Sequence, residues 1–146
     1  MIRFDCDYLE GAHPLILKKL SETNMQQSIG YGCDEYCDNA KKLIKEICDS
    51  PESVHFLVGG TQTNTAVICA ALRPHQGVIS PETGHINIHE SGAIEATGHK
   101  VLALPAVQGK LCANQLDEYL SENENDPVRE HMVQPGMVYI SFPTEG

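Results

Sequence analysis

Basic residues are scarce in this sequence: 10 lysines and arginines stand against 20 aspartates and glutamates in 146 residues, a net charge of −10. An acidic surplus of that size repels phosphodiester backbones and anionic membranes over long range, which removes nucleic acid from the expected partners. Long apolar runs are missing too. No stretch approaches the roughly 20 residues that a membrane span needs. The start, MIRFDCDYLEG, has no basic segment leading into an apolar one, as a secretion signal has. A cytoplasmic chain without membrane partners is expected.

Several specialised motifs are also absent. No Gly-Lys-Ser/Thr closes a Walker loop, no G-x-G-x-x-G marks a dinucleotide site, and the residue after His85 is Ile86, where a zincin needs glutamate. The six cysteines (Cys6, Cys33, Cys37, Cys48, Cys69 and Cys112) are scattered through a chain rich in ordinary core residues. Without a secretory context they read as reduced thiols. The nearest pair, Cys33 and Cys37, has the spacing C-x3-C, and no second pair or histidine doublet at zinc-finger spacing follows. No metal site is expected. There is no internal repeat, and the longest low-complexity tract is the polar connector SENEND.

What the chain does contain is an alternation of apolar patterns. About two-fifths of the residues are apolar, enough for one domain with a core, or part of one. A short helical stripe covers Pro14 to Leu20. A stronger one lies in DEYCDNAKKLIKEICDS, which puts Tyr36, Ala40, Leu43, Ile44 and Ile47 on one face, acids near its start and lysines later, the order a helix dipole favours. The run SVHFLV then reads as a buried strand, followed by a helix ending near Leu72. Strands are expected around GVIS, over KVLALPAV and over GMVYISFP, with a helix from about Asn114 to Leu120 before the SENEND connector. The alternation predicts an α/β fold, a mostly parallel sheet with helices on its faces.

Two stretches carry candidate chemistry. Residues 59 to 64, GGTQTN, lie between the expected strand and its helix. Two glycines there permit a tight turn and close approach of the backbone to a ligand, while Thr61, Gln62, Thr63 and Asn64 supply donors and caps. Free amides at a helix start favour an anion, most naturally a phosphate. An ordinary capped turn would use the same residues. The second stretch, GHINIHESGAIEATGHK, holds His85, His89 and His99 with Glu90 and Glu95. His85 follows a strand, where its imidazole faces the same crevice as the glycine loop and can stack on a flat ligand or move protons.

Taken in order and spacing, DYLEGAHP, GYGCDEYC, GGTQTN and GHINIHESGAIEATGHKV resemble the amino-terminal part of the threonine aldolase and β-eliminating lyase family. That resemblance covers essentially the whole chain and implies the aspartate aminotransferase fold, with pyridoxal 5'-phosphate as cofactor. It implies an arm and short helix over 1–20 and the first, incomplete part of the cofactor domain over 21–146. Gly60, Thr61 and Gln62 would hold the cofactor phosphate, and His85 would stack on its ring and serve as the catalytic proton carrier. Cys6, where the family commonly has Ser or Asn, and Tyr31 would lie near the substrate. The family's Schiff-base lysine, its pyridine-nitrogen aspartate and its carboxylate-binding arginine would fall beyond Gly146. The activity implied is cleavage of L-threonine or allo-threonine to glycine and acetaldehyde by a homodimer or homotetramer with shared sites. Other readings are another β-elimination or transamination on the same scaffold, a non-catalytic anion-binding chain, and a Cys/His metal module.

Overall fold

The first two helices of this protein begin where the sequence supplies caps. The computed structural model describes residues 8–49 and 52–142, and the chain divides into two units, Met1–Phe56 and Leu57–Gly146. In the first unit, α1 spans Pro14–Thr23: Pro14 has no N–H to leave unpaired, and His13 Nδ1 accepts from the Leu15 amide at 3.2 Å. Helix α2 spans Glu35–Cys48. The Asp34 side chain caps it by accepting from the Cys37 amide at 2.9 Å, and Asp49 ends it in the left-handed region with φ 47°. Neither helix contains a buried residue. Their apolar faces are open, with Leu15, Leu17, Leu20 and Ile47 all more than half exposed.

The second unit holds the sheet. It begins with α3 (Gly60–Ala71), followed by β1 (Gln76–Pro81), the single turn α4 (His85–Ile88), β2 (Val101–Leu104), α5 (Ala113–Asn125) and β3 (Gln134–Val138), with short 3-10 turns at Glu95–Thr97 and Arg129–His131. The three strands are parallel in the order β2-β1-β3. β1 is therefore central. From Gly77 to Pro81 every residue is buried, as in a strand covered on both faces. Val78 joins Ile68 and Leu72 with Ile86, Ile94 and Val101 in one apolar cluster, and the adjacent Ile79 is also enclosed.

Several boundaries differ from the sequence reading, among them the strand expected over KVLALPAV, which is confined to Val101–Leu104. Residues 53–58 lie in no strand, and Phe56 and Val58 are 50 % and 93 % exposed. The apolar, β-branched composition is suited to a strand, but a strand exists only where another backbone answers its ladder. The SENEND connector is mostly helix, because α5 runs to Asn125. Gln115 reaches back to the Cys112 amide at 2.9 Å to start it, glutamates propagate it well, and Asn123 is buried on its inner face. The last strand starts earlier than GMVYISFP, at Gln134. Pro135 is accommodated because β3 borders the sheet and shifts register beside Gly77 and Val78.

Candidate functional site

In parallel sheets, ligands sit beyond the carboxyl ends of strands, at the point where successive connections leave to opposite sides. Here β2 lies on one side of β1 and β3 on the other. The crevice at the carboxyl end of β1 is that point, and the chain leaving it reaches His85 within four residues of Pro81.

The first component of the site is the start of α3. Gly59 is its cap residue with an extended backbone, and no side chain caps the helix. The first helical bond runs from the Thr63 amide to the Gly59 carbonyl at 3.0 Å. The amides of Gly60, Thr61 and Gln62 thus have no acceptor within the helix, and they point outward at its positive end. A Cβ placed on Gly59 or Gly60 would meet nothing within 4 Å, so the backbone of this turn is open to close approach. The Gln62 side chain turns back to accept from the Val58 amide at 3.0 Å, bracing the loop rather than closing it.

The second component is His85, the first residue of α4. Its side chain is 41 % exposed, and its Nδ1 lies 2.8 Å from Glu90 Oε1. Glu90 is the opposite in character, with a side chain that is fully enclosed. The same Oε1 accepts from Asn64 Nδ2 at 2.7 Å. Asn64 lies four residues after Gly60, one helical turn along α3. A continuous chain of contacts, α3 to Asn64 to Glu90 to His85, therefore fastens the helix with the free amides to the exposed imidazole. The His89 ring stands 5.5 Å from that of His85, tilted by 54°. Two enclosed oxygens beside this turn, Thr83 Oγ1 and Glu90 Oε2, have no hydrogen-bond partner among the described residues.

Gly60, Thr61, Gln62 and His85 thus belong to one unit and are tied together by two side chains. Tyr31 belongs to the other unit, where it is fully exposed in a turn with φ 63°. Cys6 lies outside the described residues. Asn64 and Glu90 were legible only as a loop donor and as a neighbour of the histidines. Their pairing across 26 residues has no local signature, and only the fold brings it about.

This arrangement can bind a compact anion through three convergent amides, and it offers one face of an imidazole to a flat group nearby. The helix start favours negative charge, and the ring nitrogen of His85 not engaged by Glu90 is left for a further partner.

Comparison with known proteins places the chain in a family. The family model for the β-eliminating lyases matches residues 12–144. A low specificity L-threonine aldolase from Pseudomonas aeruginosa is 25 % identical over 145 residues, which take in 98 % of this chain and 41 % of that protein. A second, from a Pseudomonas species, matches at the same identity and coverage. The solved structure of Leishmania major threonine aldolase superposes with a TM-score of 0.88 at 48 % identity, covering 95 % of this chain and 40 % of that one. The chain spans about two-fifths of the length of the relatives it matches. Among the described residues no helix is long and apolar enough to cross a membrane.

Proposed function

We propose, because the chain belongs to the β-eliminating lyase family, that it forms the cofactor-phosphate and ring-contacting part of a pyridoxal-phosphate-dependent aldehyde lyase of the threonine aldolase type. Its substrates in this reading are L-threonine and L-allo-threonine, and its products are glycine and acetaldehyde. The observation that carries the reading is the fastening of the uncapped start of α3 to His85 through Asn64 and Glu90. The names of the relatives, all threonine aldolases, support the choice of reaction.

Pyridoxal phosphate, when bound, supplies an electron sink for the pair released when the Cα–Cβ bond of a 3-hydroxy amino acid breaks. The residues of this chain do the rest of what is assigned to it. Gly60, Thr61 and Gln62 hold the phosphate through their free amides, with the partial positive charge of the helix start adding to each bond. His85 would contact the cofactor ring and would take the proton from the substrate 3-hydroxyl at Nε2, since Nδ1 is already engaged by Glu90. Tyr31 and Cys6 serve the substrate side, Tyr31 from a neighbouring copy in a homo-oligomer.

The test is the longest polypeptide that the gene encodes, incubated with L-threonine and with L-allo-threonine, with and without added pyridoxal phosphate. Glycine and acetaldehyde should appear in equal amounts and only with the cofactor. 2-Oxobutanoate and ammonia without glycine would replace aldol cleavage by elimination. No cofactor-dependent product of any kind would remove the lyase reading.

A further inference from the structure

We propose that Glu90 is a positioning residue that fixes the tautomer of His85, holding the proton on Nδ1 and leaving Nε2 as a bare acceptor. This rests on the reading of His85 as proton acceptor in the proposed function, and it extends that reading to a residue whose side chain faces no solvent.

Three observations converge on it. First, Glu90 is one of four buried polar or charged residues in the described structure, and its side chain is wholly enclosed. Enclosing a carboxylate costs several kcal/mol unless partners compensate, so a site that keeps one uses it. Second, both of its hydrogen bonds fall on a single oxygen, Oε1, with Asn64 at 2.7 Å and His85 at 2.8 Å. The asparagine amide can only donate there, which pins the carboxylate to α3 and aims it at the imidazole. An ionised carboxylate only accepts, so the proton between Glu90 and His85 belongs to Nδ1. A neutral imidazole with Nδ1 protonated has an unprotonated Nε2, the state a general base requires.

Third, the backbone just past Glu90 is bent into an unusual conformation. Ser91 has φ 52° and Gly92 φ 74°, two successive left-handed residues of which only the second is a glycine. Such a residue is held in place only when its surroundings over-determine it, and here the bonds from Ala93 to the Glu90 carbonyl (3.0 Å) and from Ala96 to the Gly92 carbonyl (3.0 Å) do so. The single turn of α4 ahead of it, closed by the His89 amide on the His85 carbonyl at 2.9 Å, sets Glu90 beside His85, five residues earlier. The pattern matches the arrangement in which an acidic group orders a histidine from behind while the far nitrogen does the chemistry.

The test reads the tautomer directly, without cofactor or turnover. The full chain is labelled with ring-15N histidine, and its nitrogen shifts are recorded in solution or by magic-angle spinning at about pH 9, above the ordinary imidazole range. The His85 signals are assigned by their loss in H85Q. The proposal expects wild type to carry the proton on Nδ1 with Nε2 bare. E90Q, whose carbonyl can still accept, should keep that state, whereas E90L should move most of the population to the Nε2-protonated form that free imidazole side chains favour. A wild-type His85 protonated on Nε2 overturns the proposal even if E90L fails to fold. A folded E90L with an unchanged tautomer overturns it as well. A chain that passes this test and yields no glycine separates a failed lyase reading from a failed positioning role.

Discussion

Replacing Gly84 by alanine puts a methyl group where the structure has no room for one. The backbone itself would accept the change, because Gly84 has φ −64°; the obstruction is steric. The new Cβ would overlap Ser80 Oγ and lie 3.0 Å from the Pro81 carbonyl oxygen and 3.3 Å from Pro81 Cδ. Ser80 is fully buried and donates to the Pro81 carbonyl at 3.0 Å. Its hydroxyl can swing aside only by giving up that bond, a loss of about 1 kcal/mol. The carbonyl contact is backbone and does not rotate away, so the turn at 84–88 must shift. Overpacking of this kind costs about 1–3 kcal/mol, which for a chain of this size lowers Tm by roughly 3–10 °C. Thermal unfolding of G84A, S80A and S80A/G84A measures it. The double variant should be less destabilised than the sum of the singles, with a coupling of about 0.5–2 kcal/mol, since S80A removes the nearest clash. Because His85 is the next residue, its contact with Glu90 should loosen as well, visible as tautomer mixing. An unchanged midpoint in G84A, or a strictly additive cycle, would refute the steric argument.

Other expectations follow from the same coordinates. Ile79, 1 % exposed in the central strand, should cost about 2–5 kcal/mol as I79A by calorimetry, and a loss under 1 kcal/mol would mean the sheet is loosely packed. The bond from the Cys37 amide holds the Asp34 carboxyl below the usual carboxylate value. Its folded value lies below its unfolded one, so its support of α2 is full above about pH 4 and fades as pH falls through the folded value. Wild-type helicity by circular dichroism should therefore drop more between pH 5 and pH 2.5 than that of D34N, which caps without titrating; equal losses would contradict this. The hydrogen bond to Asp34, and to a lesser degree burial, push the Cys37 thiol up. Alkylation of Cys37 at pH 8, followed by peptide mass mapping, should accordingly be faster in D34N than in wild type, and equal rates would dismiss the carboxylate as the cause. Finally, α1 and α2 bury no residue, and Ile140 and Phe142 past β3 are 66 % and 99 % exposed. Sedimentation of the chain alone should show association at micromolar concentration, and a clean monomer would count against exposed apolar faces driving contact.

The sequence displayed what depends on short-range pattern and concealed what depends on distant partners. Helix α2 was legible because its stripe, its capping Asp34 and its acid-to-lysine order all agree within 14 residues. The free amides of Gly60, Thr61 and Gln62 were equally local, since a strand-like run, two glycines and a helical pattern suffice to place them at a helix start. Residues 53–58 misled for the opposite reason: their composition suits a strand, but a ladder needs a neighbour that composition does not name. The SENEND tract misled because polarity was read as a connector, although the Gln115 side chain had already started a helix that glutamates extend. Glu90 stood in plain view beside three histidines, with nothing in the spacing to single it out from Glu95. Its contact with Asn64 arises only when α3 packs beside the turn that follows β1, and no spacing rule reports that.

The central claim is that the start of α3 holds a cofactor phosphate, and one substitution isolates it. Proline at position 60 removes a single amide donor at the first position of the helix, where proline is well tolerated. The extended Gly59 before it suits a following proline, and nothing lies within 4 Å of the added Cβ. Thermal shifts of the chain and of G60P would be compared with pyridoxal phosphate, inorganic phosphate and pyridoxal, the stabilisation following ordinary binding linkage. The account predicts stabilisation of the wild type by the two phosphates and not by pyridoxal. It predicts a G60P chain at least as stable as wild type without ligand, yet binding pyridoxal phosphate about tenfold or more weakly, the loss of one charge-assisted hydrogen bond. Equal stabilisation by pyridoxal, or undiminished pyridoxal phosphate binding by G60P, would contradict the account and leave the glycine loop an ordinary turn.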